Sequence, residues 1–245
     1  MLEVRRLTMR FGGLVAIDDL SLTVKANQFL GVIGPNGAGK TTLLNLITGY
    51  LTPSSGSITL EGAALVGRKP YHICRMGIAR TFQVVQPLAE MTVLENAMTS
   101  VFYSGPHRVS ITQARDRAFE ALSLVGLAEQ SGMLAGALTL GNKKKLELAR
   151  ALATRPRLLL LDEVMAGSPQ SDVIDLMHVL RAIHASGTSI LMIEHLVPVI
   201  LALAEHVFVL NFGQELYQGR PEDVVTHPEV IESYLGKPLT ALADA

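Results

Sequence analysis

The stretch GVIGPNGAGKTT, Gly31 to Thr42, constrains this chain more than any other. Phe29 to Ile33 is a short apolar run, long enough for a buried strand. Gly34, Pro35, Asn36, Gly37, Ala38 and Gly39 follow with almost no side-chain bulk. Lys40, Thr41 and Thr42 then open an apolar-periodic segment, Leu43, Leu44, Leu46 and Ile47, that ends at Gly49. The pattern predicts strand, glycine-rich turn, helix. Glycines let backbone N–H groups turn inward around an anion with no Cβ in the way. The helix start adds unpaired N–H groups and a partial positive charge. Lys40 brings a full positive charge, and the Thr41 hydroxyl can ligate Mg²⁺. The spacing is GxxxxGK[ST], a phosphate-binding pattern, and it predicts a nucleotide site. Its place between a strand and a helix argues against a turn that merely connects them.

The rest of the chain narrows the class. Its 245 residues suffice for one large or two modest domains with a real core. Hydrophobic residues make up 49% and charged ones only 18%, so there is much apolar surface to bury. A net charge of −1 gives no electrostatic reason to expect nucleic acid as a partner. The one cysteine, Cys74, cannot close an internal disulfide and reads as a small buried hydrophobe in a reducing compartment. The first residues, MLEVRRLTMRF, lack a signal-peptide apolar core. The most apolar tract, Ser189 to Phe212, is interrupted by Glu194, His195, Glu205 and His206. A membrane span needs about 20 mostly apolar residues, so this tract does not read as one.

Along the chain, Leu2 to Arg10 and Ser21 to Lys25 read as strands, with Gly12-Gly13 in the turn between. Ser57 to Leu60 alternates like an edge strand, Tyr71 to Met76 reads as a short helix, and Ile78 to Phe82 as a strand ending at Gln83. From about 86 to 155 the texture turns helical, with segments Thr92 to Val101, Ile111 to Val125 and Asn142 to Thr154. Arg157 to Leu161 and Thr188 to Ile193 are apolar strands ending in Asp162-Glu163 and Glu194-His195. Between them, Val173, Ile174, Met177, Leu180 and Ile183 mark one helix face. Val207 to Leu210 and Glu215 to Tyr217 read as a hairpin, and two short helices start at Pro221 and Pro228. Apolar strands alternating with helices imply an α/β fold whose mostly parallel sheet is covered on both faces. An antiparallel β subdomain is expected at the N-terminus and a helical subdomain is expected inside. The expected division is core and β subdomain over 1–85 and 156–220, helical subdomain over 86–155, and C-terminal helices over 221–245.

Ligands of such sheets sit beyond the carboxyl ends of the strands. The Gly34 loop, Gln83, Asp162-Glu163 and His195 all fall at such ends. An acid closing a buried strand beside a phosphate loop can hold Mg²⁺, which suits Asp162. Glu163, one residue on, can polarise a water for in-line attack on a γ-phosphate. Gln83 offers an amide oxygen to the metal or that water, and His195 can donate a hydrogen bond to the γ-phosphate. Each residue has a plainer reading too: acids often mark a strand leaving the core, and a lone histidine is more often structural. His178, His184, His206 and His227 are read as surface or packing residues. Phe11 could stack on an adenine or simply fill the core. Lys143, Lys144 and Lys145 read as a solvated helix face rather than a nucleic-acid patch, with Lys143 and Glu147 at i,i+4.

With these groups assembled, the chain resembles the ATP-binding subunits of ABC transporters over nearly its whole length. GPNGAGKTT matches the Walker A motif and LLLLDE, Leu158 to Glu163, matches Walker B with its catalytic glutamate. ARTFQ places Gln83 as the Q-loop glutamine, IEH places His195 as the switch histidine, and RFGG places Phe11 at the adenine-stacking position. RFGGLVAIDDLSL, GIARTFQ, LELARALATRP and HPEVIESYLG look like the subunits that serve branched-chain (hydrophobic) amino acid importers. The resemblance implies an ATPase using ATP and Mg²⁺. It implies two cassettes, identical or related, closing head to tail on two ATPs. It further implies membrane permease subunits as partners, a substrate-binding protein acting indirectly, no nucleic acid, and a peripheral place on the cytoplasmic face of the cell membrane. In this frame Thr139 and Gly141 belong to the signature motif that completes the opposite site.

The signature reads Leu138-Thr139-Leu140-Gly141-Asn142, and Leu140 and Asn142 depart from the usual LSGGQ. Ala166 to Gln170 is unusual for the D-loop, and Val164 replaces the common proline. These departures suggest that the site this chain completes on its partner is the weaker one. An exporter cassette or a urea or amide importer shares the same motor chemistry. A soluble ABC ATPase of translation or DNA repair usually carries fused cassettes or a long coiled coil, and this chain has neither. A GTPase is disfavoured because Asn142-Lys143-Lys144 is followed by Lys145 rather than an acid.

Overall fold

Burial along the strands separates two kinds of sheet. The computed structural model describes residues 1–104 and 109–236. Strands β1 (Leu2–Phe11) and β2 (Leu14–Val24) alternate buried and exposed positions, whereas β3 (Phe29–Ile33) is buried throughout. Helix α1 (Lys40–Ile47), β4 (Ser55–Leu60), β5 (Ala63–Ala64), α2 (Pro70–Arg75) and β6 (Ile78–Arg80) follow. Then come α3 (Val93–Ser104), α4 (Ile111–Leu124) and α5 (Leu140–Leu152). The second half runs β7 (Leu158–Asp162), α6 (Gln170–Ala185), β8 (Ser189–Ile193), α7 (Val197–Leu203), β9 (His206–Asn211) and β10 (Gln214–Gly219). Two short helices, α8 (Pro221–Val224) and α9 (Pro228–Val230), precede a single π turn, Ile231–Leu235.

The chain divides into two compact units, Met1–Pro70 with Ser189–Ala245, and Tyr71–Thr188. In the first, β2-β1-β4-β5 form an antiparallel sheet. Beside it, β3 runs parallel to both β8 and β9, and β9 pairs antiparallel with β10. Only a strand with helices or sheets on both faces can bury every side chain, which is why β3 and β8 read as unbroken apolar runs. In the second unit β6 runs parallel to β7, another fully buried strand. The fold is thus α/β, with a mostly parallel sheet, an N-terminal antiparallel sheet and an inserted helical block.

Several boundaries differ from the sequence reading, each for a local reason. Strand β2 begins at Leu14, not Ser21, and runs through Asp18-Asp19, a pair that looks like a turn in sequence. The ladder absorbs them in bulges: Arg6 and Asp19 both take φ 48°, and the Arg6 Nε donates to Asp19 Oδ1 at 3.2 Å. Helix α5 starts at Leu140, two residues before the expected Asn142, because the Thr139 hydroxyl caps it by accepting the Asn142 N–H at 3.3 Å. Helix α7 was not anticipated inside the apolar tract; Pro198 in its first turn suits a helix start. In α6 the buried face is Leu176, Leu180 and Ile183, while Ile174 is 49% exposed, so the expected stripe is rotated at its N-terminal end. The face Ala118, Ala121, Leu122 and Val125 is buried as expected. Cys74 is only partly buried, and that burial pushes its thiol pKa up. Among the described residues no helix is long and apolar enough to cross a membrane.

The helical block is held by two caps and one buried amide. Ser110 and Gln113 form a reciprocal capping box at the start of α4. Thr92 and Glu95 do the same for α3, through the Glu95 N–H to the Thr92 hydroxyl and the Thr92 N–H to the Glu95 carboxylate. Asn96 is fully buried, accepts the Leu88 N–H at 2.8 Å, and donates to the carbonyls of Leu88, Met91 and Thr92. It thereby fixes the loop that enters α3. Replacing Asn96 by Ala leaves the Leu88 N–H without its acceptor and takes one of two donors from each of three carbonyls, and is expected to destabilise the chain by about 1–3 kcal/mol. A lowered denaturant midpoint with unchanged slope would be the signature.

Candidate functional site

The glycine turn is formed as the sequence predicts. Gly34 leaves β3, the turn closes with the Ala38 N–H donating to Pro35 O at 3.2 Å, and α1 begins at Lys40. Gly34 and Ala38 are buried while Asn36 and Gly37 are exposed, so the turn rests on its two ends. At Gly34, φ is 150° and a Cβ would lie 2.0 Å from the Leu210 carbonyl oxygen at the end of β9. At Gly39, φ is 105° and a Cβ would meet the Ala16 carbonyl of β2 at 2.5 Å. Neither position admits a side chain, on backbone and on steric grounds alike. The turn joining β9 to β10 adds a further brace: Gly213 N–H donates to Ala38 O at 2.9 Å, and Asp18 N–H donates to Gly213 O at 2.9 Å.

Lys40 is 6% exposed, and its Nζ donates to the carbonyls of Gly34 at 2.6 Å and Pro35 at 2.8 Å. Those neutral acceptors solvate the buried charge within the loop itself. Thr41 is exposed and Thr42 half-buried in the first turn of α1. Phe11 closes β1, is 45% exposed and pairs with Leu14 across the hairpin whose next residues, Ala16 and Ile17, touch the loop at Gly39. His195 is exposed and follows β8. Because Val32 pairs with Ile193 in parallel register, the residues after β3 and β8, Gly34 onward and Glu194-His195, emerge from the same sheet edge. Tyr234 was not among the residues expected here. Its phenolic oxygen lies against the Gly34 N–H; burial, then the nearby Glu194, pushes its pKa up, and the Gly34 hydrogen bond opposes them.

Gln83, Asp162, Glu163, Thr139 and Gly141 belong to the other unit. There too a parallel pair sets the arrangement. Arg80 pairs with Leu160, and the Thr81 N–H continues the ladder to Leu160 O at 3.0 Å. Continuing that register carries Gln83 alongside Glu163, and the Gln83 Nε2 donates to Glu163 Oε2 at 2.7 Å. Asp162, the last residue of β7, is buried and paired with Arg80, whose Nη2 donates to Oδ2 at 2.8 Å. Arg80 is a partner that sequence reasoning missed; its place three residues before Gln83, on a strand beside β7, was the available signal. Glu163 takes φ 50°, a left-handed conformation that costs a non-glycine residue about 1–2 kcal/mol.

The signature residues open α5. Thr139 is its N-cap and Leu140, the first residue, is 55% exposed. A Cβ on Gly141 would lie 2.5 Å from Asp172 Oδ2, so the glycine lets that carboxylate approach the first turn of α5. Asn142 turns its Nδ2 to Gln130 Oε1 at 2.9 Å. The solvated-face reading of the lysine run holds only in part. Lys145 reaches Asp175 at 3.3 Å, but Lys144 is 7% exposed, covered by the loop after Glu163, where its Nζ donates to Ala166 O and Ser168 Oγ. Among the described residues no group of three or more His, Cys, Asp and Glu side chains is placed to hold a metal. The magnesium donors expected from the sequence are a hydroxyl, an amide oxygen and one carboxylate, on Thr41 in the first unit and on Gln83 and Asp162 in the second. Hard oxygens suit that ion, which keeps several of its waters.

A strand–glycine turn–helix with a buried lysine folded over the turn defines a P-loop nucleotide-binding protein. Comparison with known proteins is more specific. The family model described as ABC transporter matches residues 17–166, and the chain belongs to the ABC transporter family. It is 38% identical to the high-affinity branched-chain amino acid transport ATP-binding protein BraF of Pseudomonas aeruginosa, covering 97% of this chain and 98% of that one. The corresponding protein LivG of Escherichia coli K12 is also 38% identical, with the same coverage. Among solved structures, the ADP conformation of MJ1267, an ATP-binding cassette of an ABC transporter, superposes with a TM-score of 0.86 at 34% identity. That match covers 97% of this chain and 99% of the other.

Gly34→Ala forces the loop off Leu210 and is expected to abolish nucleotide binding in a folded protein. Gly37→Ala, with no atom within 4 Å of its Cβ, meets only the left-handed backbone cost and should retain binding. Equilibrium binding of a fluorescent ATP analogue to both variants is the measurement.

Proposed function

We propose that this chain is the ATP-binding and ATP-hydrolysing subunit of an importer for branched-chain or other hydrophobic amino acids. The buried Lys40 folded over its own glycine turn carries the reading. Its Nζ already points into the turn, and exchanging carbonyl acceptors for phosphate oxygens strengthens its bonds, since bonds between two charged groups are the stronger kind. The amides of Asn36, Gly37, Gly39 and Lys40 and the α1 N-terminus supply the remaining donors for a triphosphate. The names of BraF and LivG support the cargo class.

The other roles follow from residue chemistry. Glu163, positioned by the Gln83 amide, is the base that polarises the attacking water. His195 donates to the γ-phosphate, and Phe11 offers half an exposed ring to adenine. Thr41, Gln83 and Asp162 would hold magnesium, which supplies charge neutralisation at the β- and γ-oxygens. Since Arg80 occupies Oδ2 of Asp162, the ion would draw on Oδ1 or on a water held there. Thr139 and Gly141 serve the nucleotide of a second cassette, a copy of this chain or a related one. Permease subunits anchor the pair peripherally at the cytoplasmic face of the cell membrane, and a substrate-binding protein acts through them. ATP can drive closure of such a pair only by binding the closed state more tightly than the open one. Where the second cassette is a related chain with a good signature, the exposed Leu140, and Asp172 beside Gly141, make the site that this chain completes on it the poorer of the two.

Two variants test this. Lys40→Ala should weaken ATP binding by about a hundredfold or more, the scale of removing charge-assisted bonds from a buried site. Retained micromolar affinity would refute the loop's role. Glu163→Gln should bind ATP normally while turnover falls by about a hundredfold or more. Turnover close to that of the unmodified chain would place the base elsewhere.

A further inference from the structure

Lys144, Glu147 and Arg150 lie at i, i+3 and i+6 on α5, so they form one row along a single face. Lys144 Nζ donates to Ala166 O at 2.5 Å and to Ser168 Oγ at 2.7 Å, both in the loop that follows Glu163. The Glu147 carboxylate accepts the backbone N–H of Phe82, the residue before Gln83. Arg150 Nη1 donates to Gln86 O at 3.3 Å, three residues beyond Gln83. The row therefore grips the Gln83 loop on both sides and the Glu163 loop at two points. Between the two loops runs the Gln83–Glu163 hydrogen bond.

We propose that Lys144, Glu147 and Arg150 act as positioning residues that lock the Gln83 loop and the Glu163 loop to one helix, so that neither moves without the other. The proposal rests on the reading of Glu163 as the base. The charges alternate plus, minus, plus, so each member compensates its neighbour where solvent is scarce. Burial raises the Glu147 pKa and the Phe82 N–H, Arg150 and Lys144 oppose it; burial lowers that of Arg150 and Glu147 opposes it. A solvated lysine face would need none of this. The grip is on backbone atoms, Phe82 N, Gln86 O and Ala166 O, which suits a device that places loops rather than one that touches substrate. Because α5 also begins at the signature residues Thr139 and Gly141, a displacement of the helix at its N-terminus would reach both loops at once.

The test uses the full chain and reads hydrogen exchange as well as turnover. Lys144→Met should speed amide exchange in residues 163–168, which Lys144 touches, and also in 82–86, which it does not. It should lower kcat for ATP about tenfold while KM changes less than about twofold, the pattern of lost positioning. Lys144→Arg, which can reach the same two oxygens, should recover kcat to within about threefold. Faster exchange confined to 163–168 would overturn the coupling, as would an unchanged kcat in folded Lys144→Met. Ser168→Ala removes one acceptor with little risk to folding, and should shift both loops in the same direction by less; exchange unchanged in 82–86 there would also count against the coupling. If Glu163→Gln retained turnover while both loops still responded to Lys144→Met, the base assignment would fail and the coupling would stand.

Discussion

A turn that points its amides at an anion cannot hold itself in that shape, because those amides are then unavailable for its own hydrogen bonds. The glycine turn here is held from behind. Leu210 of β9 and Ala16 of β2 press carbonyl oxygens into the places where Cβ atoms of Gly34 and Gly39 would be. Gly213, in the hairpin after β9, ties Ala38 from a third side. The phosphate cradle is therefore a product of two sheets as well as of its own glycines. The parallel strands β3, β8 and β9, apolar because both faces are buried, carry it. The Lys40 charge, the group with most to lose from burial, is solvated by the same turn.

The same principle recurs in the second unit with different materials. The parallel pair β6 and β7 sets a register that carries Gln83 alongside Glu163, and the side chains complete it with a hydrogen bond. Asp162 is buried with a guanidinium rather than left as an isolated charge, an arrangement that a low-dielectric interior demands. In each unit the chemistry-bearing residues leave adjacent parallel strands at their carboxyl ends. Backbone ladders thus do the first part of the placing, and side-chain bonds the rest.

Most of this was legible in sequence where a residue's role depends on its immediate neighbours. The turn from Gly34 to Gly39, the strand ends at Asp162 and Glu194, and the buried face of α4 are all local patterns. What escaped depends on partners far along the chain. Arg80 is an ordinary strand residue until β7 lies beside it. Tyr234 is an ordinary aromatic in a short helical segment until its oxygen meets Gly34. Lys144 looked solvated because three lysines in a row usually are. It is buried because the loop after Glu163 packs over it and offers the Ala166 carbonyl and the Ser168 hydroxyl. The start of β2 was placed too late, at Ser21, for a related reason: a bulge carries through the strand two acids, Asp18-Asp19, of a kind that ordinarily ends one.

The backbone of Glu163 sits at φ 50°, where glycine or asparagine would rest more easily. Every folded copy carries that tension whether or not it is at work. Replacement by either smaller residue would relax the main chain and remove the carboxylate in the same stroke. With Glu163 as the proposed base, durability and chemistry would pull in opposite directions there, and a search for hardier versions of this protein would tend to find inert ones at that position.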